Sequence, residues 1–171
     1  MMKDAKPDGP SESDRIIMES ILSELKFPLG GSAQDDESAQ KGESPHATVV
    51  FLRHGQSVWN EASLFTGWAD VELTTLGKNE AAKGATAMWR EGLEVDVAFT
   101  SLLTRAQQTL DIALIIMGAE DVPVNRDWRL NERMYGGLTG LNKKETTELH
   151  GADQVKAWRR SYDTPPPPVE T

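Results

Sequence analysis

His54 stands between Arg53 and Gly55, with Ser57 and Asn60 close behind. Neutral imidazole is a competent nucleophile at about pH 7, and a flanking guanidinium can clamp the phosphate it attacks. The group therefore suits phosphoryl transfer to the histidine; the plain alternative is a core histidine at a strand end beside a surface arginine. Thr100-Ser101-Leu102-Leu103-Thr104-Arg105-Ala106 offers hydroxyls, a cation and the free amides of a helix N-terminus. That is a suitable anion site, or equally ordinary helix capping with an exposed arginine. In Leu130-Asn131-Glu132-Arg133-Met134-Tyr135-Gly136, Glu132 could serve as general acid and base for a substrate hydroxyl, provided burial raises its pKa. An ion pair with Arg133 is the alternative. Lys143, Arg159 and Arg160 would add cationic donors, although two adjacent arginines are often a solvated face. So many cations gathered in an acidic chain point to a multiply anionic ligand.

Such residues need a frame to hold them. Ala47 to Leu52 is an apolar, β-branched run that reads as a buried strand delivering His54 to the carboxyl edge of a sheet, where open α/β sheets bind ligands. Gly55 then lets the backbone approach a phosphoryl group closely. Thr74 or Thr75 opens a helix to about Arg90, with Ala81, Ala85, Met88 and Trp89 inward and Gly92 placed to end it. Val95 to Phe99 reads as the second strand. Thr104 to Met117 reads as a helix strongly apolar along Leu103, Leu110, Ala113, Leu114 and Met117, stopped by Gly118, and Val122 to Val124 starts a short third strand. Asn142-Lys143-Lys144-Glu145 looks like a capping box for a helix ending near His150-Gly151. Strands alternating with helices imply a three-layer α/β/α fold, its mostly parallel sheet covered on both faces.

Bulk properties narrow the class. The chain has 171 residues, with 18 Lys and Arg against 27 Asp and Glu for a net charge of −9. That balance argues against a general nucleic-acid or anionic-membrane binder. The absence of cysteine excludes disulfides, thiolate catalysis and Cys-rich zinc sites. No apolar stretch reaches membrane-spanning length, and the acidic N-terminus resembles neither a secretory signal nor a transit peptide. A soluble, cytoplasmic protein is expected. Residues 1–45 have the composition of a disordered acidic extension, and 46–171 read as part of a catalytic domain. Within the extension, Ser13 or Asp14 could cap a short helix carrying Ile17, Ile21, Leu22 and Leu25, either a docking helix or a marginal one in a solvated tail. A helix this short is weak alone, which favours the second.

From about Thr48 to Val169 the sequence resembles the cofactor-dependent phosphoglycerate mutases of the histidine phosphatase superfamily. The stretches that carry the resemblance are Leu52-Arg53-His54-Gly55-Gln56-Ser57-Val58-Trp59-Asn60, Phe65-Thr66-Gly67-Trp68 and Leu73-Thr74-Thr75-Leu76-Gly77. They continue in Thr100 to Ala106, Asn131 to Leu138, Gly140 to Lys143, Arg159 to Asp163 and the run Pro165-Pro166-Pro167-Pro168. The resemblance implies interconversion of 3-phosphoglycerate and 2-phosphoglycerate in glycolysis and gluconeogenesis. His54 would be the phosphohistidine nucleophile, holding a phosphoryl group left by 2,3-bisphosphoglycerate, and no metal would be required. Arg53 and Arg105 would hold that group, with Ser57, Asn60, Thr66 and Gly67 lining the site. Glu132 would donate and accept the proton of the 2- and 3-hydroxyls. Tyr135, Lys143, Arg159 and Arg160 would bind the glycerate carboxylate and its phosphate. The partners would be small phosphoglycerates, with dimers or tetramers as the family's assembly.

Two departures stand out. Met134 takes the place where many family members have a second histidine, filling the same space without chemistry. The family's catalytic histidine in an H-G-N motif follows a later strand, and this chain ends at Thr171, before it; the C-terminal part of the domain is expected to be missing. His150-Gly151 closes a polar helix ahead of Arg159 and is rejected as a substitute, and His46 lies in the tail. Without that later strand, open sheet edge and exposed apolar surface are expected. The alternatives are a bisphosphoglycerate mutase or phosphatase on the same scaffold, and an inactive truncated homologue that acts by binding.

Overall fold

The structure, a computed structural model, describes residues 47–169. The short helix expected between Ser13 and Leu25, and His46, lie outside them. The contacts divide the chain after Leu52. Residues 47–52 form no strand, and Val49 and Phe51 are 69% and 93% exposed. This departs from the expected first strand. An extended run becomes a strand only when a neighbour's ladder satisfies its N–H and C=O groups, and these residues join no ladder among the described residues.

The body from Arg53 onward begins with a one-turn helix, α1 (Val58–Glu61), closed by a reciprocal capping box between Ser57 and Asn60. Helix α2 (Thr75–Arg90) starts where the Thr74 hydroxyl accepts from the Gly77 N–H, and Gly92 follows its end with φ +66°. Ala81, Ala82, Ala85 and Thr86 make its buried face. Trp89, expected inward, is 47% exposed. The small alanine face allows close packing with α3 (Thr104–Met117), the helix ended by left-handed Gly118 as its sequence implies. Strand β1 (Ala98–Thr100) pairs in parallel with β2 (Val124–Arg126), in the register Ala98 to Val124. Both strands lie two to three residues beyond the sequence expectation for their starts.

Ala98 and Thr100 are buried, and Phe99 between them is 65% exposed. Two 3₁₀ turns, Trp128–Leu130 and Gly136–Leu138, lead to α4 (Lys143–His150) and α5 (Ala152–Arg160). The Asn142 side chain caps α4 by accepting from the Lys144 and Glu145 N–H groups. A second core gathers Phe65, Tyr135, Leu138 and Val155, with Trp158 against it. The Phe65 and Tyr135 rings lie 5.3 Å apart, and His150 meets Trp158 edge-on at 5.0 Å. Among the described residues, no helix is long and apolar enough to cross a membrane.

The proline run is pinned onto this core. Gly137 N–H donates to Pro167 O at 2.8 Å, and a Cβ on Gly136 would lie 2.4 Å from that oxygen. Arg133 donates to Trp158 O at 2.9 Å and to Thr164 O at 3.1 Å.

Candidate active site

His54 is partly buried, and its Nδ1 lies 2.7 Å from its neighbour's carbonyl, Gly55 O. A carbonyl only accepts, so Nδ1 carries the proton and Nε2 is left with its lone pair. Burial is the largest influence on the ring and lowers its pKa. Arg105 and Arg53 lower it further, against opposing contributions from the Gly55 contact and Glu132. The imidazole is therefore held neutral more firmly than a free histidine.

Gly55 is needed at this turn for a different reason from the one its sequence setting implies. A Cβ there would stand 2.1 Å from Gly77 O, and a Cβ on Gly77 would stand 2.0 Å from Gln56 O. The close approach is between the His54 turn and the first turn of α2. The turn is held further by Thr74 N–H donating to Gln56 O at 2.9 Å and by Gln56 N–H donating to Glu80 Oε2 at 2.8 Å.

Arg105 is only 1% exposed and is served by three acceptors. Its guanidinium donates to Ala69 O at 3.1 Å, Gly67 O at 2.8 Å and Glu132 Oε2 at 2.9 Å. Glu132 thus pairs with Arg105 rather than with adjacent Arg133, whose donors go to the backbone of the C-terminal arm. The Glu132 side chain is 38% exposed, so the burial assumed for it from sequence is partial. The expected free amides before α3 are occupied instead. Asn131 Oδ1 takes the Leu102 N–H, Ser101 Oγ that of Leu103, and Asp70 Oδ1 that of Thr104. Local amide, hydroxyl and carboxylate oxygens occupy these three amides, and the Arg105 side chain is a donor this segment contributes.

Tyr135 is within the electrostatic influence of both the carboxylate and a second cationic group. Burial raises its pKa most, Glu132 adds to that, and Arg159 opposes it. Lys143, at the first turn of α4, has its pKa lowered by burial and then by Arg159 and Arg53, with Glu132 opposing. The Arg159 guanidinium lies 6.0 Å from the centre of the Phe65 ring. His54, Arg53, Arg105, Glu132, Tyr135, Lys143 and Arg159 therefore share one electrostatic neighbourhood.

The remaining expected residues are distributed unevenly. Ser57 is fully buried, its hydroxyl and the Asn60 side chain engaged in the α1 cap. Gly67 has φ +54°, and a Cβ there would sit 3.1 Å from Tyr135. Thr66 Oγ1 is buried with no hydrogen-bond partner, and the next residue, Gly67, supplies a carbonyl to Arg105. Arg160 is exposed at the end of α5, and Met134 is 54% exposed, so it does not fill a core position. Asp70 and Trp68, which organise Arg105 and Glu132, carry no local signal as site residues. Trp68 Nε1 donates to Glu132 O at 2.8 Å. No group of three or more His, Asp or Glu side chains suited to a metal ion occurs among the described residues.

The chain is also similar to known proteins. The chain is 57% identical to the 2,3-bisphosphoglycerate-dependent phosphoglycerate mutase of Caulobacter sp. (strain K31), over 71% of this chain and 51% of that protein. It is 57% identical to the enzyme of that name from Zymomonas mobilis (72% and 54%), and 53% identical to that of Corynebacterium jeikeium (73% and 49%). The chain spans about half the length of the curated relatives it matches. Among solved structures, it is similar to mycobacterial glucosyl-3-phosphoglycerate phosphatase, with TM-score 0.56, 27% identity, and coverage of 69% of this chain and 53% of that one. The alpha-ribazole phosphatase of Shigella flexneri gives TM-score 0.54 at 26% identity, covering 67% and 55%. The profile of the histidine phosphatase superfamily (branch 1) matches residues 49–171, and the chain belongs to that superfamily.

Proposed function

We propose that this chain carries the phosphoryl-accepting half of a phosphoglycerate mutase, interconverting 3-phosphoglycerate and 2-phosphoglycerate through a phosphohistidine at His54. The observation that carries the reading is the pairing of a neutral His54, its Nε2 lone pair free, with Arg105, Arg53, Lys143 and Arg159 around one carboxylate. The Nε2 lone pair attacks phosphorus and the ester P–O bond breaks. The leaving oxygen takes the proton that the Glu132 carboxylate accepts in the reverse step, in which the other substrate hydroxyl attacks the phosphohistidine and the P–Nε2 bond breaks. An incoming phosphoryl group competes with Glu132 for Arg105, which frees the carboxylate to face the substrate hydroxyl. The clustered cations stabilise the equatorial oxygens in the transition state.

The cationic set and the unpartnered Thr66 hydroxyl suit a doubly phosphorylated anion such as 2,3-bisphosphoglycerate. Arg53 and Arg105 would hold one phosphate, and Tyr135, Lys143, Arg159 and Arg160 the glycerate end. Bound there, it supplies the phosphoryl group that charges His54. Ser57, Asn60 and Gly67 complete the lining, and the reaction as written uses no metal. A cytoplasmic, homo-oligomeric enzyme of glycolysis and gluconeogenesis, its catalytic domain beginning near residue 46 after an acidic extension, is the setting that fits.

A phosphatase is the second reading, favoured by the names of the solved structures above. Product analysis with 3-phosphoglycerate, primed with 2,3-bisphosphoglycerate, separates the two. 2-Phosphoglycerate is the expected product; free phosphate and glycerate would replace mutase with phosphatase, and no turnover would leave a binding role.

A further inference from the structure

The four residues Gly67 to Asp70 all hold parts of the proposed site. Gly67 O and Ala69 O accept from the Arg105 guanidinium, and the Trp68 indole donates to the Glu132 carbonyl. Asp70 closes the segment onto α3. Its Oδ1 accepts from the Thr104 N–H and its Oδ2 from the Thr104 hydroxyl, both at 2.7 Å. Thr104 is the residue before Arg105 and the first of a helix whose own N-cap, Leu103, has no side-chain cap. A carboxylate 34 residues away in the chain therefore does the capping, at the positive end of the helix dipole.

We propose that Asp70 is a positioning residue: by clamping Thr104 through both carboxylate oxygens, it fixes the Gly67–Asp70 segment against α3 and so sets the direction of the Arg105 guanidinium. The purpose assigned to Arg105 rests on the mutase reading. The physical argument is that a buried guanidinium points where its acceptors are. Two of the three acceptors of Arg105 are carbonyls of this segment, and the segment is tied to the residue next to Arg105. If the tie is cut, the carbonyls can drift from the guanidinium, and Arg105 can drift from His54. Asparagine keeps the tie in another form. Its oxygen accepts from the Thr104 N–H, and its amide can donate to the Thr104 hydroxyl, which accepts as readily as it donates.

His54 serves as a ligand-free reporter, because Arg105 lowers its pKa. The test is an NMR titration of the His54 ring in the full chain, assigned with H54A. Losing the clamp in Asp70→Ala should let Arg105 relax and move the His54 midpoint up. Removing a negative charge alone moves it down, so the sign separates the two effects. Thr104→Val removes one contact without changing charge and should shift the midpoint up by less. Asp70→Asn should restore it to the wild-type value or slightly below. A midpoint that is unchanged or lowered in Asp70→Ala overturns the proposal; if that variant does not fold, Thr104→Val decides by the same sign. No substrate enters the measurement. Its failure leaves the mutase reading standing, and failure to form 2-phosphoglycerate leaves the clamp standing.

Discussion

Arg105 Nη2 donates to Glu132 Oε2 across 2.9 Å, and the two partners differ in setting: the arginine side chain is 1% exposed and the glutamate 38%. The cation is fixed in the interior by two backbone carbonyls, while the carboxylate sits at the rim and is the partner able to leave. A ligand phosphate would thus displace Glu132 without disturbing Arg105.

Replacing Arg105 by lysine should keep the charge and lose the function. One ammonium cannot serve Gly67 O, Ala69 O and Glu132 in the planar fork that guanidinium provides. A stability loss of about 1–3 kcal/mol is expected from the buried carbonyls left unpaired, together with roughly tenfold weaker binding of inorganic phosphate. Urea denaturation and calorimetric titration check the two. Unchanged phosphate affinity would remove Arg105 from the site.

His54→Ala should abolish acid-labile labelling by 2,3-bisphosphoglycerate carrying a radioactive phosphate. Label that survives the substitution at the wild-type level would refute His54 as the nucleophile.

Stability should depend on pH through His54. Its folded pKa lies below the ordinary histidine value of 6.5 because of burial, Arg105 and Arg53. The unfolded chain therefore binds the proton more readily. The stabilisation is complete above pH 6.5 and is lost as pH falls through the folded pKa. His54→Gln should flatten the stability profile in that window, read as urea midpoints across the pH range. A wild-type ring titrating above 6.5 would contradict the burial argument.

Two glycines should respond differently to alanine. At Gly55 the new methyl meets backbone at 2.1 Å, so the His54 turn and α2 must separate. A loss of about 3 kcal/mol or more, or failure to fold, is expected. At Gly92 nothing lies within 4 Å and only the φ of +66° is unfavourable. There the cost should be about 1 kcal/mol. Thermal melts of both variants compare the two directly.

Arg133→Gln should loosen the C-terminal arm while leaving His54 titration unchanged, since Arg133 bonds Trp158 O and Thr164 O. Faster tryptic cleavage at Arg159 and Arg160 is the expected sign. Equal rates in wild type and variant would mean that Gly137 and the proline run hold the arm without it.

The helices were legible because their signals are local. Thr74, Gly92, Gly118 and Asn142 act within a turn of the ends they define, and α3 spans the residues its periodicity marks. Inward faces were less legible: Trp89 follows the apolar spacing of α2 yet lies exposed, while Ala82 and Thr86 are buried against α3. Strand limits depend on the partner ladder. Phe99 and its neighbours therefore pair later in the chain than their apolar run suggests, and residues 47–52 do not pair among the described residues.

The same division runs through the site. Residue type and order by themselves marked His54, Arg105, Glu132, Lys143 and Arg159 as candidates, because a phosphoryl nucleophile, its cations and a proton carrier would need those chemical groups; Tyr135 entered through the family resemblance. Tertiary structure alone decided that Glu132 answers Arg105 instead of its neighbour Arg133, that Asp70 caps a helix it does not belong to, and that Gly55 makes room for Gly77. Those pairings join residues 22 to 34 positions apart in the chain. A local sequence window records which groups can bond; which of them meet is set by how the chain packs.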